Sequence, residues 1–403
     1  MGGLRWPSSA SDIGSARRPV TGPRHAPRHL TPSDRADAAP QPGPHLWDLV
    51  AFPLCVWLVW RVVHALLVLA FGGDIVDATF HFDGGWFRTV LEHGFVVSDL
   101  SFETQQNTAF MPGVAWLAWP FAQVLGAEAA ALLVANATGF AAFCGTYGAT
   151  LSWTSERTAR IATVALALWP TSFVLWAYYS EGLFIAATAL GLWADRRDRP
   201  IAALLGCFLV PLTRTVGIAL APVLALTRWW RLGRVDVVGA GYLVSGATAT
   251  ASVSVVQDSQ TGDSLAWIHA QRAWGRGMSP PWSPVISALS DVVEKLPRPA
   301  MELSLNLAAI AVAFVGGVIM VRWWRDRSMP TSVVAWTATA VVLPLCSMMI
   351  SSQMRFVLGA WPAFAAFAYD GRGARVVRLC AAPIGVVLSV AFVRRWAQNV
   401  WVA

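Results

Sequence analysis

The sequence predicts an all-α, polytopic membrane protein, and three observations carry that prediction. Hydrophobic residues fill 56% of the 403 positions and charged ones only 13%, where a soluble domain carries about a quarter. Apolar stretches repeatedly reach or exceed the ~18 residues that suggest a helical membrane span. The net charge of +7 comes as short Arg clusters between those stretches, the pattern of cytoplasmic loops. A nucleic-acid partner would need that charge gathered on a soluble module, so none is expected.

The elements follow in order. Residues 1–45 hold eight Pro and six Arg with no apolar run. Such a segment cannot bury enough surface to offset its ordering entropy, so a disordered, basic cytoplasmic tail is expected. The first span falls near 47–71, and without a signal-peptide core ahead of it this span is a retained anchor in the plasma membrane. A polar segment, 72–107, then lies on the extracytoplasmic side. Further apolar stretches fall near 109–126, 128–151, 161–179, 182–194, 201–227, 235–256, 301–321, 331–350, 355–369 and 376–393. Together they imply about nine to eleven transmembrane helices within a multi-pass domain over 46–396. Arg clusters at 196–199, 228–234, 322–327 and 372–378 mark cytoplasmic turns, and a second long polar loop, 257–300, returns to the side of the first.

One stretch is not a simple crossing. The span 201–227 lies between two Arg clusters, and its centre reads Pro211-Leu212-Thr213-Arg214-Thr215-Val216-Gly217. Two short helices meeting there, with non-helical backbone lining a cavity, satisfy both the breaker and the charge. The five cysteines, Cys55, Cys144, Cys207, Cys346 and Cys380, all sit in apolar stretches and read as small buried hydrophobes.

The first polar loop reads His81-Phe82-Asp83-Gly84-Gly85-Trp86-Phe87-Arg88, then Leu91-Glu92-His93-Gly94-Phe95, then Asn107-Thr108-Ala109-Phe110-Met111-Pro112-Gly113. A carboxylate followed by two glycines sits on backbone that can approach a ligand closely; a solvated loop acid is the alternative. These blocks resemble the first-loop signature of the PIG-V-like (GPI mannosyltransferase II-like) mannosyltransferases. Pro170-Thr171-Ser172-Phe173 with Tyr179-Ser180-Glu181-Gly182-Leu183-Phe184 is similar to that family's second motif. Leu212 to Gly217, Gly262-Asp263-Ser264-Leu265-Ala266 with Gln271-Arg272-Ala273-Trp274-Gly275, and Arg355-Phe356-Val357-Leu358 follow in order. Phe82, Phe87 and Phe95 stand where Trp, Tyr and Tyr are common in the family, keeping aromatic shape without the polar group.

The resemblance implies a GT-C type membrane glycosyltransferase. Such an enzyme takes a sugar, here mannose, from a polyprenyl-phosphate donor at the extracytoplasmic face. It passes that sugar with inversion to a glycolipid or glycan acceptor. The residues suit this chemistry. Attack by a sugar hydroxyl needs a general base, and Asp83 is the candidate. Glu181 is a second acid that either orients the acceptor or favours the start of the next helix.

A departing lipid phosphate needs cations near the bilayer surface. Arg355, at a predicted helix start, is the first candidate, and it is expected to lie beside Asp83 at a cavity. Arg61 lies within the first span, where a guanidinium costs roughly 2.5–3.5 kcal/mol and should face the bundle interior. Arg214 sits in the broken helix. For each Arg an internal ion pair is the alternative reading.

Trp86, Glu92, His93 and Asn107 of the first loop are further substrate-binding candidates. Gln271, Arg272, Trp274 and Arg276 of the second loop either form an acceptor platform or belong to an amphipathic helix lying on the membrane. His64 reads as a packing residue. His81 and His93 flank Asp83 and Glu92, which leaves a divalent metal open and points to no other cofactor. A lipid-linked sugar flippase or transporter is the rival from another class. Visible inverted repeats are absent, and acids concentrate in one loop, which weighs against it. A GT-C enzyme using another sugar shares the phosphate logic.

Overall fold

The computed structural model describes residues 46–99, 101–294, 299–370 and 372–401; the expected tail over 1–45 lies outside the described residues. Among the described residues the regular structure is helical throughout, with no strand. Four helices are long and apolar enough to cross a membrane, over Leu49–Ala70, Ala127–Trp153, Met301–Arg325 and Arg378–Ala397. They belong to α1 (Leu46–Ala70), α5 (Ala127–Trp153), α13 (Pro299–Arg325) and α16 (Arg372–Ala397).

The other apolar stretches are shorter helices separated by buried irregular backbone. They include α4 (Gly113–Leu125), α6 (Glu156–Leu168), α7 (Glu181–Arg196), α8 (Pro200–Leu209), α9 (Leu220–Leu232) and α14 (Thr331–Leu345). Proline accounts for much of this division, because it lacks an N–H and clashes with the preceding turn. Pro170 follows the end of α6, and residues 169–180 are buried without forming a long helix. Residues Val357–Ala368, expected as a span, form a buried 3-10 run with Pro362 inside and a kink at Ala360.

Buried irregular backbone survives only where its polar groups are paired. The Tyr178 N–H donates to Thr79 O (2.9 Å), and Trp60 Nε1 donates to Ser172 Oγ (3.1 Å). Trp169 Nε1 and Thr171 Oγ1 both donate to Met354 O, at 2.7 and 3.0 Å. These bonds tie the segment ahead of Glu181 to the segment carrying Arg355.

Small residues let the central helices touch backbone to backbone. A Cβ on Gly182 would lie 2.9 Å from Gly139 N, and one on Gly206 only 2.7 Å from Gly191 Cα. Helices α5, α7 and α8 are thereby locked, which buries the start of α7 and leaves Glu181 at the core. The broken stretch behaves as its sequence predicts. Helix α8 ends at Leu209, Arg214 adopts extended backbone, and a 3-10 turn over Thr215–Ala219 leads into α9. The Leu212 carbonyl freed by the break accepts the Gly113 N–H at 2.7 Å, so α4 starts against it.

The two polar loops carry short helices. The first holds α2 (Ile75–Thr79) and α3 (Asp83–His93). In the second, α10 (Val237–Thr261) runs past the expected boundary at 257, followed by α11 (Ala266–His269), a 3-10 turn over Ala270–Trp274 and α12 (Ser283–Glu294). Buried Gln257 joins the loops, donating to Thr108 O (2.9 Å) and accepting the Trp267 N–H (2.8 Å). The five cysteines are free, but only Cys207 is buried; Cys55 and Cys380 are exposed on α1 and α16. Apolar surroundings in sequence thus meant an outward-facing apolar helix surface at those two positions, not the core.

Candidate active site

Asp83 opens α3 directly after a strained residue. Phe82 has φ 52° and ψ −116°, a region that costs a non-glycine residue about 1–3 kcal/mol. Aromatic contacts with Trp396 (5.3 Å) and Trp401 (5.1 Å) hold it there. The Asp83 N–H donates to Tyr179 Oη (3.1 Å), and that hydroxyl donates to His81 O (3.3 Å). A Cβ on Gly84 would lie 2.8 Å from Thr79 O. The close backbone approach at this glycine is made to the Thr79 carbonyl.

Asp83 does not point into open solvent. Its Oδ2 accepts from Arg355 Nη1 at 2.6 Å, across 272 residues of sequence. Arg355 Nε lies 3.1 Å from Glu181 Oε1, and the same Glu181 oxygen accepts from Arg214 Nη1. Glu181 is the first residue of α7 and its side chain is 3% exposed. Arg355 lies in α15 (Gln353–Phe356), and the backbone beside it is clamped from both sides. Met354 O takes the two bonds from Trp169 and Thr171, while the Met354 N–H donates to Asn306 Oδ1 (2.8 Å).

A third guanidinium joins this cluster. The Phe356 ring lies 4.6 Å from the guanidinium of Arg214, 5.1 Å from that of Arg276 and 5.4 Å from that of Arg355. Three cations therefore surround one ring, against two carboxylates. Taking charges out of water costs several kcal/mol per ion unless partners compensate. Arg214 and Arg355 have such partners, and ring faces add ~0.5–2 kcal/mol for each cation. Burial, then repulsion from Arg355 and Arg214, push the Arg276 guanidinium down to about 10, with Asp83 opposing the shift. It remains charged at neutral pH.

Some valences are left over. Asp83 Oδ1 and Glu181 Oε2 accept no hydrogen bond from the described residues. Arg355 Nε and Trp274 Nε1 are buried with no hydrogen-bond acceptor among them; the contact of Arg355 Nε with Glu181 is an ion pair without hydrogen-bond alignment. Beside the cluster stands an aromatic wall. Trp86, one helical turn beyond Asp83, stacks on Phe110 (6.1 Å, 17°), and Trp274 meets both rings edge-on at 6.2 and 5.4 Å.

The remaining sequence candidates make contacts elsewhere or are exposed. Arg61 Nε donates to Asn136 Oδ1 (2.9 Å) and its guanidinium lies 5.0 Å from the Trp176 ring, an internal contact between α1 and α5. Glu92 pairs with Arg88 (2.8 Å) one turn earlier, and His93 is exposed in the last turn of α3. Asn107 braces the first loop, accepting the Val96 N–H and donating to Gly94 O, both at 2.9 Å. Gln271 Nε2 donates to Ala109 O (3.0 Å), which tethers the second loop to the first. Arg272 is exposed.

His81 donates from Nδ1 to Trp396 O (2.9 Å), and burial holds its ring below the ordinary imidazole range. No group of three His, Cys, Asp or Glu side chains arranged to hold a metal occurs among the described residues. Tyr179 and Phe356 were not among the sequence candidates, although each stands within two residues of a charged one that was.

No family model matches the chain, and no curated protein matches it. Solved structures do. The apo oligosaccharyltransferase of Archaeoglobus fulgidus is 13% identical, with 85% of this chain covering 56% of that one at a TM-score of 0.50. The Archaeoglobus fulgidus enzyme in complex with an inhibitory peptide and a dolichol-phosphate is 12% identical, over 87% of this chain and 56% of that one, again at 0.50. The fold is that of the GT-C glycosyltransferases. At this identity the likeness concerns the fold alone, and the chain spans little more than half the length of either neighbour.

Proposed function

We propose that the chain is a polyprenyl-phosphate-mannose-dependent mannosyltransferase of the PIG-V-like kind. It works at the extracytoplasmic face of the plasma membrane on a glycolipid or glycan acceptor. The observation that carries the reading is the meeting of Asp83, Glu181 and Arg355, from three distant segments, in one buried cluster within a GT-C fold.

The chemistry runs from the free oxygen of Asp83. An acceptor hydroxyl hydrogen-bonded to Oδ1 loses its proton there as its oxygen attacks the anomeric carbon. The bond from that carbon to the phosphate oxygen breaks on the opposite face, which inverts the centre. The electron pair departs on the phosphate, where guanidinium groups stabilise the developing charge. Glu181 acts through Arg214 and Arg355, holding both in place. The Trp86, Phe110 and Trp274 faces suit the apolar face of a sugar ring, and the unpartnered Trp274 Nε1–H suits one of its hydroxyls. A lipid phosphate ligand is in keeping with the neighbour that was solved with a dolichol-phosphate.

Incubating membranes containing the protein with radiolabelled polyprenyl-phosphomannose and extracting the products tests the reading. Label should pass to a new acceptor, and Asp83→Asn should abolish transfer while the protein still inserts. Full activity in that variant, or no transfer by the wild type, would overturn it. Transfer only from a polyprenyl-phosphate carrying another sugar would keep the reaction class and replace the mannose.

A further inference from the structure

Resting on the transferase reading, we propose that Arg276 is the cation that holds the donor's phosphodiester, and that protonation of Asp83 during transfer releases Arg355 as its second partner. The argument is one of charge. Arg355 already faces Asp83 and Glu181, and Arg214 faces Glu181. Arg276 shares the Phe356 ring with both of them, yet has no carboxylate within ion-pair distance among the described residues. The cluster of Asp83, Glu181, Arg214, Arg276 and Arg355 therefore carries one surplus positive charge, and Arg276 is the group left to express it.

A sugar phosphodiester brings one negative charge and makes the sum zero. In the reaction the carbon–oxygen bond to phosphate breaks with its electron pair on the phosphate, and the acceptor's proton moves to Asp83. The phosphate has become a monoester, dianionic above its second pKa of about 6. Asp83 has become neutral in the same step, so the sum is zero again. Arg355 Nη1, which had served Asp83, is then free for the second phosphate charge. A diphosphate donor would break this match, because it carries an excess of negative charge into the ground state.

The fold places Arg276 for the task. Gly275 adopts a left-handed conformation (φ 65°), and the Arg276 N–H donates to Gln271 O at 3.0 Å. Gln271 is itself fastened to Ala109 O of the first loop, so the guanidinium is positioned by contact between the loops and does not depend on a counterion.

The test uses the full-length protein in nanodiscs, titrated with farnesyl methyl phosphate, a diester of one charge, and followed by tryptophan fluorescence. Arg276→Gln should weaken binding at least about tenfold, and the exposed Arg234→Gln should bind as the wild type does. Arg276→Gln should keep the wild-type fold, read as an unchanged far-UV circular dichroism spectrum, because the ring contact it gives up is offset by relief of repulsion from Arg214 and Arg355. Farnesyl diphosphate and inorganic phosphate should both bind more weakly than the diester.

Equal affinity of wild type and Arg276→Gln for the diester overturns the role of Arg276 and leaves the transferase reading standing. Tighter binding of the diphosphate overturns the charge match. Inorganic phosphate binding as tightly as the diester would assign Arg276 to free phosphate and overturn the lipid assignment. Failure of wild type to bind any farnesyl phosphate overturns both readings.

Discussion

Helix α7 carries a buried carboxylate at each end, Glu181 as its first residue and Asp195 as its last but one, about 21 Å apart at 1.5 Å per residue. Each belongs to an ionic cluster, and the two clusters differ in kind. At the Asp195 end, Arg231 lies 3.6 Å from Asp195, and Arg228 pairs with Asp236 (2.8 Å) and Asp198 (3.4 Å). Those ion pairs set two guanidiniums against three carboxylates, and Asp198 and Arg231 are 77% and 43% exposed. Asp236 also caps α10 through the Gly239 N–H, so this cluster fastens helix ends. At the Glu181 end the cations outnumber the acids and every paired side chain is largely buried. A cluster with no spare cation, open to water at Asp198 and Arg231, is what structure alone needs. A buried cluster with one cation too many and two free carboxylate oxygens has capacity for a ligand.

Substitutions at the two ends put that contrast to the test. The largest effect is expected from Asp83→Asn, a loss of at least about a thousandfold in sugar transfer, within the range of general-base catalysis. Asp195→Asn should leave transfer unchanged, and equal losses in the two variants would erase the distinction. Arg355→Ala strands Asp83 as an uncompensated buried charge and should cost about 3–5 kcal/mol in stability, read as a lowered melting temperature. Arg355→Lys restores the charge without the forked geometry and should recover only part of it. Asp195→Asn should cost about 1 kcal/mol, the scale of one buried hydrogen bond lost or weakened. Asp198→Ala, at an exposed pair, should shift stability by less than about 1 kcal/mol. A larger change there would show that the far cluster also carries strain.

Much of the fold was legible because hydropathy and helix breakers act locally. The break around Pro211 and Gly217 was readable from a proline and a charge inside an apolar stretch, and the structure divides α8 from α9 there. The same logic overreached at 161–179 and 355–369. Apolar composition says that a segment is buried, but Pro170 and Pro362 turn burial into irregular or 3-10 backbone held by Met354 O and other distant partners.

The site divides along the same line. Asp83, Glu181, Arg214 and Arg355 stood out as charges beside apolar helices, which is a property of each position and its neighbours. Arg61, Glu92, Asn107 and Gln271 stood out in the same reading and are engaged elsewhere, while His93 and Arg272 are exposed. Local sequence cannot separate a charge that finds a partner one turn away, as Glu92 finds Arg88, from one that finds it across the bundle.

By itself, then, the chain's sequence determined an all-helical membrane architecture, the place where one helix breaks, and a short set of ionisable residues too costly to bury singly. Tertiary structure alone decided which of them meet. It joined Asp83 to Arg355 over 272 residues and chose Arg276 over its neighbour Arg272 to face the ring of Phe356. The reason is physical: the cost of burying a charge belongs to the residue, whereas the compensation belongs to whichever packed helices and tethered loops bring an opposite charge within reach.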